Sequence, residues 1–533
     1  MTQRTTVARS LIAGVAVAAL AVLAGCGSGG SSAGGGGGGT GGGSSSGGGA
    51  PVHGGNLVIA RTADSQSMNN TTVFDNESIW VFEQIFEPLY TVSKDGKSTI
   101  PWLATSYKMS SDKKTYTFTL RSGVKFSNGK PMTSADVKFS IDQSRAAAKG
   151  WGYIDGAVKS VTAPSPLTVV IHLKYPWAPL LADLSLFSNA IVPNHYGGES
   201  ETAFYNNPVG TGPFKWDYWH KGTALKLTRN PNYWQKGKPY LNSVTWTDVA
   251  SDNTRQLQIK GGQAQVDEFP AWSTVAALKA TPGVTMNLFN STRTDYLVFN
   301  EKRKPFQDVH VRRAISMAIN RPSLVKAILY GNGKPAISFL PPQVPYFDPK
   351  SPGLQYNLAD AKKEMAASSV PHGFTTTLLV SSGDSDQSTM ATIMQSELKP
   401  LGITIKIQQL DPNTANTNFQ SLDYDMTFSY WTMDIADPDE LVTFAVDPSS
   451  GAKSFFSAYD NPTVVKDTHL AERTFDTTGR QKLYSTIQSD AAHDAFMAFL
   501  YNSPYAYAAS DKVHGFFVTP LGNYHMENVW MSK

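Results

Sequence analysis

Apolar and polar positions along this chain switch between two periods. At 115–121 (TYTFTLR), Tyr116, Phe118 and Leu120 alternate with Thr115, Thr117 and Thr119, the period of a half-buried strand. Leu167, Val169, Ile171 and Leu173 repeat the pattern, with His172 on the opposite, solvated face. Leu57-Val58-Ile59-Ala60 follows Gly54-Gly55-Asn56 and reads as a first strand, with a polar loop over 65–70. Helical spacing takes over at 80–90 (WVFEQIFEPLY), where Phe82, Ile85, Phe86 and Leu89 share a face. Thr133 with Asp136 three residues on is an N-cap signal for a helix over 135–142. Asp308 caps a helix with the stripe Val311, Ile315, Ala318 and Ile319, which puts Arg312 and Arg313 on its solvated side. Pro322 opens another helix, closed by Gly331, and 481–500 reads as a long helix.

Residues 375–381, 388–398 and 403–407 give strand, helix and strand, with Pro400 and Gly402 at the second join. That βαβ unit makes the class α/β with parallel strands. Directly after it, Met426, Phe428 and Tyr430 alternate with Asp425, Thr427, Ser429 and Trp431. This strand runs into Asp434 and the turn signal Asp437-Pro438. Ligands of open α/β sheets sit outside the carboxyl ends of strands. Trp431 and Asp434 at such an end offer a flat apolar face and a negative charge to a small cation. The alternative is an Asp that merely caps the next helix.

Size, charge and the N-terminus narrow the class. A chain of 533 residues exceeds a single core and predicts at least two lobes. Net charge is +3, about +1 once Arg4 and Arg9 are removed, which gives no footprint for nucleic acid. Arg4 and Arg9 precede the uncharged run 11–24 (LIAGVAVAALAVLA). As a helix it spans about 21 Å, short of a bilayer core of about 30 Å, so it reads as an export signal. Leu23-Ala24-Gly25-Cys26 is similar to a bacterial lipobox, in which Cys26, the sole cysteine, becomes the lipidated first residue. Residues 27–50 are nearly all Gly and Ser. They form a flexible tether with an r.m.s. span of roughly 25–30 Å.

Four blocks then resemble, in order, the family 5 extracellular solute-binding proteins of ABC importers. They are the opening stretch, YTFTLRSGVKFSNGKPMTSADVKFSI, NPVGTGPFKWDYWHKGTALKLTRNPNYW and YLVFNEKRKPFQDVHVRRAISMAINR. The first signature's usual Asp-Gly is Asn128-Gly129 here. The resemblance implies a two-lobed α/β fold of the periplasmic-binding-protein type (class II, cluster C), with mixed sheets and a ligand cleft between lobes. It divides the chain into a signal peptide (1–25), a tether (26–53), lobe 1 (54–305, with an extra subdomain near 95–190), lobe 2 (306–489) and a return to lobe 1 (490–533). It implies a monomer anchored outside the membrane by lipid, which delivers a small solute or peptide to an ABC permease and needs no cofactor.

In peptide-binding members a W-x-x-D motif supplies the Asp that pairs with the peptide's α-ammonium. Trp431-Thr432-Met433-Asp434 matches it, as does the Asp437-Pro438-Asp439 that follows. The backbone of Tyr430, Trp431 and Thr432 would then pair with the ligand main chain. One departure bears on ligand length. Dipeptide-specific members carry an Arg in the loop after the strand at 375–381, whereas 382–389 (SGDSDQST) has none and holds Asp384 and Asp386. A longer peptide or a cationic solute is therefore expected, and sugars, nickel chelates and opines are the other solutes of the family.

No HExxH, P-loop or strand-borne GxSxG occurs, and the ten His are scattered without metal-ligand spacing. A binder rather than an enzyme is expected, with no catalytic or metal residues. A secreted hydrolase is the alternative, since the members of a Ser/His/Asp triad can lie far apart in sequence.

Overall fold

The computed structural model describes residues 50–450 and 452–533. The export signal, Cys26 and most of the Gly/Ser tether lie outside the described residues.

Two mixed sheets organise the rest. The first has seven strands in the spatial order Val284–Phe289, Tyr505–Ser510, Val266–Glu268, Asn56–Arg61, Ser243–Asp248, Ala224–Arg229 and Phe214–His220. Asn56–Arg61 is parallel to both of its neighbours, and the other pairs are antiparallel. The second has six strands in the order Lys334–Pro335, Met497–Asn502, Thr294–Phe299, Met426–Trp431, Thr375–Ser381 and Thr404–Leu410. Thr375–Ser381 runs parallel to Thr404–Leu410 through the helix Ser385–Leu398, the βαβ unit read from the sequence. A separate four-stranded antiparallel sheet, Ala104–Met109, Thr115–Leu120, Thr168–Leu173 and Val158–Ser165, has its own core of Phe118, Leu120, Ile141, Val169 and Ile171.

By sheet membership the chain changes sheets at 290–293 and at 503–504. These points differ from 305/306 and 489/490 because Thr294–Phe299 and Met497–Asn502 pair with each other in the second sheet. The two crossings touch, the Ser291 hydroxyl donating to the Ser503 carbonyl.

Local signals act as their chemistry dictates. Asp136 Oδ2 accepts from Thr133 N at 2.7 Å and from Thr133 Oγ1 at 2.9 Å, closing a box at the start of Ser134–Ala146. Gly129 turns the chain at φ 87°. Gly210 and Gly212 let one loop lie on the backbone of Gln84 and Ile85, where Gly212 N donates to Ile85 O at 2.8 Å.

Three expectations need correction. The helix expected at 80–90 is Asn76–Phe82, and Tyr90 begins a strand. The carbonyls of Gln84 and Ile85 instead accept from Phe214 and Gly212, and Pro88 cannot donate within a helix. The helix expected at 481–500 is Thr477–Asp494, which Ala495 ends at φ 49°, and Met497–Asn502 is a buried strand. Arg312 is not solvated. It is 6% exposed, pairs with Glu301 at 3.2 Å and donates to the carbonyls of Phe306 and Asp494. Burial lifts the Glu301 carboxyl to about 7 even with this partner. Removing one member of a buried pair strands the other. Chemical denaturation of Arg312→Ala is expected to show a loss of about 3–5 kcal/mol, against under about 0.5 kcal/mol for a solvated arginine.

Candidate functional site

A cavity of about 860 Å³ lies where the two sheets meet. Ala506 walls it from the first sheet, Phe269 from just past that sheet's strand Val266–Glu268 and Trp80 from the helix Asn76–Phe82; Tyr430 and Tyr501 wall it from the second sheet, and Arg293 from the crossing at 290–293. All four residues singled out at the strand end, Tyr430, Trp431, Thr432 and Asp434, line it.

The strand Met426–Trp431 has a full antiparallel partner in Thr294–Phe299. Its other edge does not. Pairing with Thr375–Ser381 covers only Leu378↔Met426 and Leu379↔Thr427. From Ser429 onward that edge has no strand partner, so it can accept an extended chain. Tyr430 is 48% exposed beside this edge, and the Arg293 guanidinium lies 4.0 Å over its ring. Nε and Nη2 of Arg293 are occupied by Asp295 at 2.9 and 2.8 Å.

Trp431 is less free than the sequence implied. Its ring packs 4.5 Å from that of Phe444, and its Nε1 donates to Glu440 at 3.2 Å. The fully buried Glu440 also accepts the backbone N–H groups of Asp434 and Ile435 at 2.8 and 3.0 Å. Asp434 caps no helix: the helix Asp439–Val446 has Pro438 at its N-cap. Asp434 instead lines the cavity, with its carboxyl beside that of Glu440.

Burial, then the charges of Glu440 and Glu83, push the Asp434 carboxyl well above its usual range. Burial lifts Glu440 to about 8 against the lowering effect of its three donors. The Asp437-Pro438-Asp439 turn has a structural job. Asp437 makes two bonds to Arg480, at 2.7 and 2.9 Å, and receives the Asp439 N–H at 3.0 Å.

Several lining residues were not singled out from the sequence: Glu77, Trp80, Phe269, Trp272, Arg293 and Tyr501. Arg293 lies in a polar stretch before a strand and looks like any strand-end charge. Phe269 adopts φ 54°, a conformation rare for a bulky residue, and no sequence signal marks it. The stretch 382–389, expected as a loop, is helical from Ser385 onward, with Asp384 as the N-cap, and it reaches the cavity through Ser385, Asp386 and Thr389 of that helix. Among the described residues no group of three or more His, Cys, Asp or Glu is placed to hold a metal ion, and no helix is long and apolar enough to cross a membrane.

The architecture is that of two-lobed periplasmic binding proteins. The chain superimposes with a TM-score of 0.82 on the Helicobacter pylori ABC transporter-associated periplasmic binding protein DppA, solved with the peptide STSA. The two are 28% identical over 90% of this chain and 99% of that one. The Bacillus subtilis oligopeptide-binding protein AppA, solved with a nonapeptide, gives a TM-score of 0.79 at 26% identity, over 91% of this chain and all of that one. Among curated relatives, the probable D,D-dipeptide-binding periplasmic protein DdpA of Escherichia coli K12 is 29% identical over 87% of this chain and 92% of its own length. The glutathione-binding protein GsiB of Pectobacterium atrosepticum is 29% identical over 87% of this chain and 91% of its own length.

Residues 98–453 match the model of the bacterial extracellular solute-binding proteins, family 5 Middle, and the chain belongs to that family. Its role is to bind a solute outside the cytoplasm for delivery to an ABC transporter, and its relatives are binding proteins rather than enzymes.

A carboxyl with a raised pKa keeps in the folded state a proton that the unfolded chain releases. Its contribution therefore turns against folding as pH rises from its ordinary value to its raised one. For Glu440 that window runs from 4.5 to about 8. Glu83, Glu87 and Glu268, each lifted by burial to about 7, act in the same sense. Melting temperature of the ligand-free protein is expected to fall between pH 5 and pH 8, and less steeply in Glu440→Gln.

Proposed function

We propose that this protein captures an oligopeptide outside the membrane and passes it to the permease of an ABC importer. The observation that carries the reading is the Asp434 carboxyl set just beyond a half-unpaired strand edge in a cavity of about 860 Å³. A peptide laid along Ser429–Thr432 continues the sheet through its main-chain groups. Its α-ammonium then meets Asp434, and its side chains fill the surrounding space. The indole of Trp431 contributes its edge to this wall, fixed by Glu440, rather than an open stacking face. The peptides in the titles of the two solved relatives support this ligand class.

Two lobes, one built on each sheet, close on the ligand by bending at the crossings 290–293 and 503–504. The four-stranded sheet and its helix form the extra subdomain of lobe 1. Cys26 carries lipid that anchors a monomer outside the membrane, and the Gly/Ser tether lets the binding domain reach its permease. Residues 382–389 carry no arginine, and Asp295 holds Nε and Nη2 of Arg293, the one guanidinium among the described residues that line the cavity; both features support a ligand longer than two residues.

Truncating one partner of a buried charge pair costs about 2–5 kcal/mol. Calorimetry is expected to show Asp434→Ala weakening peptide binding at least about 30-fold. Acetylation of the peptide's amino terminus should do the same. A peptide that binds equally well acetylated and free overturns the reading.

A cation at Asp434 favours the charged carboxylate, so binding expels the proton that burial holds there. The measured enthalpy is expected to vary with the ionisation enthalpy of the buffer, and affinity to fall as pH is lowered toward the ordinary carboxyl range. Asp434→Asn should abolish the proton release.

A further inference from the structure

Tyr430 ends a row of side chains that crosses the second sheet. Asp295 is in register with Tyr501 on one side and with Tyr430 on the other. Directly opposite residues share a face of the sheet, so Tyr501, Asp295 and Tyr430 stand side by side. Further along that face the surface is apolar. Met426 and Phe428 of the same strand share one buried core with Ile328 and Leu329, from the end of the helix Arg321–Ile328. Ile328 and Leu329 also reach the cavity. Trp431, next along the strand, points to the opposite face and packs on Phe444.

Arg293 lies over the row. Its guanidinium is 4.0 Å from the centre of the Tyr430 ring and is held by Asp295 through Nε and Nη2. One face of the phenol ring is therefore covered, by a group that is itself fixed. The rest of the ring is left to the cavity. Tyr430 is 48% exposed there, whereas Tyr501 in the same row is 3% exposed.

A main chain added along Ser429–Thr432 sets its residues in register with this strand. The residue opposite Tyr430 continues the row, and its side chain lies on the same face, beside the ring. Its two neighbours in the ligand point to the other face. The chemistry that suits this place follows from what surrounds it. Aromatic and β-branched side chains are favourable cross-strand partners of a tyrosine, and covering the ring withdraws apolar surface from water. The Arg293 guanidinium already uses the attraction of the ring for a cation, and a second cation there meets its like charge. Asp386, in the first turn of Ser385–Leu398, is the competing influence, since it repels an acidic side chain and attracts a basic one.

We propose that the Tyr430 side chain determines specificity: it selects an apolar side chain, aromatic or β-branched, at the single ligand position in register with it. The inference rests on the peptide reading above and adds the chemistry of one side chain.

The test is calorimetry on the purified protein with short peptides that have free amino termini. Phenylalanine, lysine and alanine are placed in turn at each position after the first. At one position phenylalanine is expected to bind at least about 10-fold more tightly than alanine, and more tightly than lysine. Tyr430→Ala should reduce the phenylalanine-to-alanine ratio at that position to under about 3-fold, while the ratios at the two adjacent positions stay as they were. Tyr430→Phe, which keeps the ring, should keep the ratio. Thermal melting shows that each variant is folded.

Equal affinity for the three residues at every position overturns the inference and leaves the peptide reading standing. A phenylalanine preference that survives Tyr430→Ala at every position also overturns it, because another wall then makes the selection. So does tighter binding of lysine than of phenylalanine at the position that Tyr430→Ala alters, because Asp386 then decides. If no peptide binds, the peptide reading fails and takes this inference with it.

Discussion

One buried acidic side chain, Glu440, shapes the cavity wall at the end of the strand Met426–Trp431. It accepts the N–H groups of Asp434 and Ile435 and the Trp431 indole, so three donors of the strand-end segment converge on one side chain. Without it, those donors would be buried and unpaired, at about 1–3 kcal/mol each. The segment is pinned on both sides of this point. Upstream, Met433 N donates to Thr292 Oγ1 at 2.9 Å, on one of the crossings between the sheets. Downstream, the Asp437–Arg480 pair holds the turn. Tyr430, Trp431 and Asp434 therefore keep their places relative to the crossing between the sheets.

Two crossings that touch, at Ser291 and Ser503, leave few backbone torsions to absorb a change of lobe angle. On the proposed reading, cavity walls drawn from both sheets give a ligand contacts to both lobes only when these are close. Its binding energy is then differential between open and closed forms, as a population shift requires.

Much of the fold was legible where a local rule decides the outcome. The alternation at 115–120, the Thr133–Asp136 box and the βαβ unit all became the elements their patterns predict. Reading failed where distant chain decides. Periodicity gave the buried stripe of the Val309–Ala318 helix but not what covers its other side. Arg312 is buried there by the Asp494 carbonyl, 182 residues away in sequence. The apolar run at 496–500 fits helix or strand equally well, and its partner Thr294–Phe299 makes it a strand. At the site, the strand-end Trp and Asp were visible because alternation and a turn mark them. Glu440 was not, since an acid in the first turn of a helix ordinarily answers the helix dipole. Glu77 and Arg293 were equally hidden, each an ordinary charge until the fold turns it inward.

The surplus of carboxylates at the cleft also bears on the empty state. Asp252 belongs to the helix Asp252–Lys260 near the first sheet, and Asp386 to the helix Ser385–Leu398 of the second. Both line the same cavity. Burial, and then the like charges of Asp384, Asp295 and Asp252, raise the Asp386 carboxyl against the lowering effect of Arg293. Closing the lobes without a ligand brings such groups together in a medium less polar than water, where like charges repel more strongly. A ligand cation reverses the sign of that contribution, and an anion enlarges it. On the proposed reading, charge discriminates among solutes through the cost of closure, before the shape of any side chain is tested. The strand edge at Ser429–Thr432 accepts any main chain, so the selection it omits falls to the side chains around it.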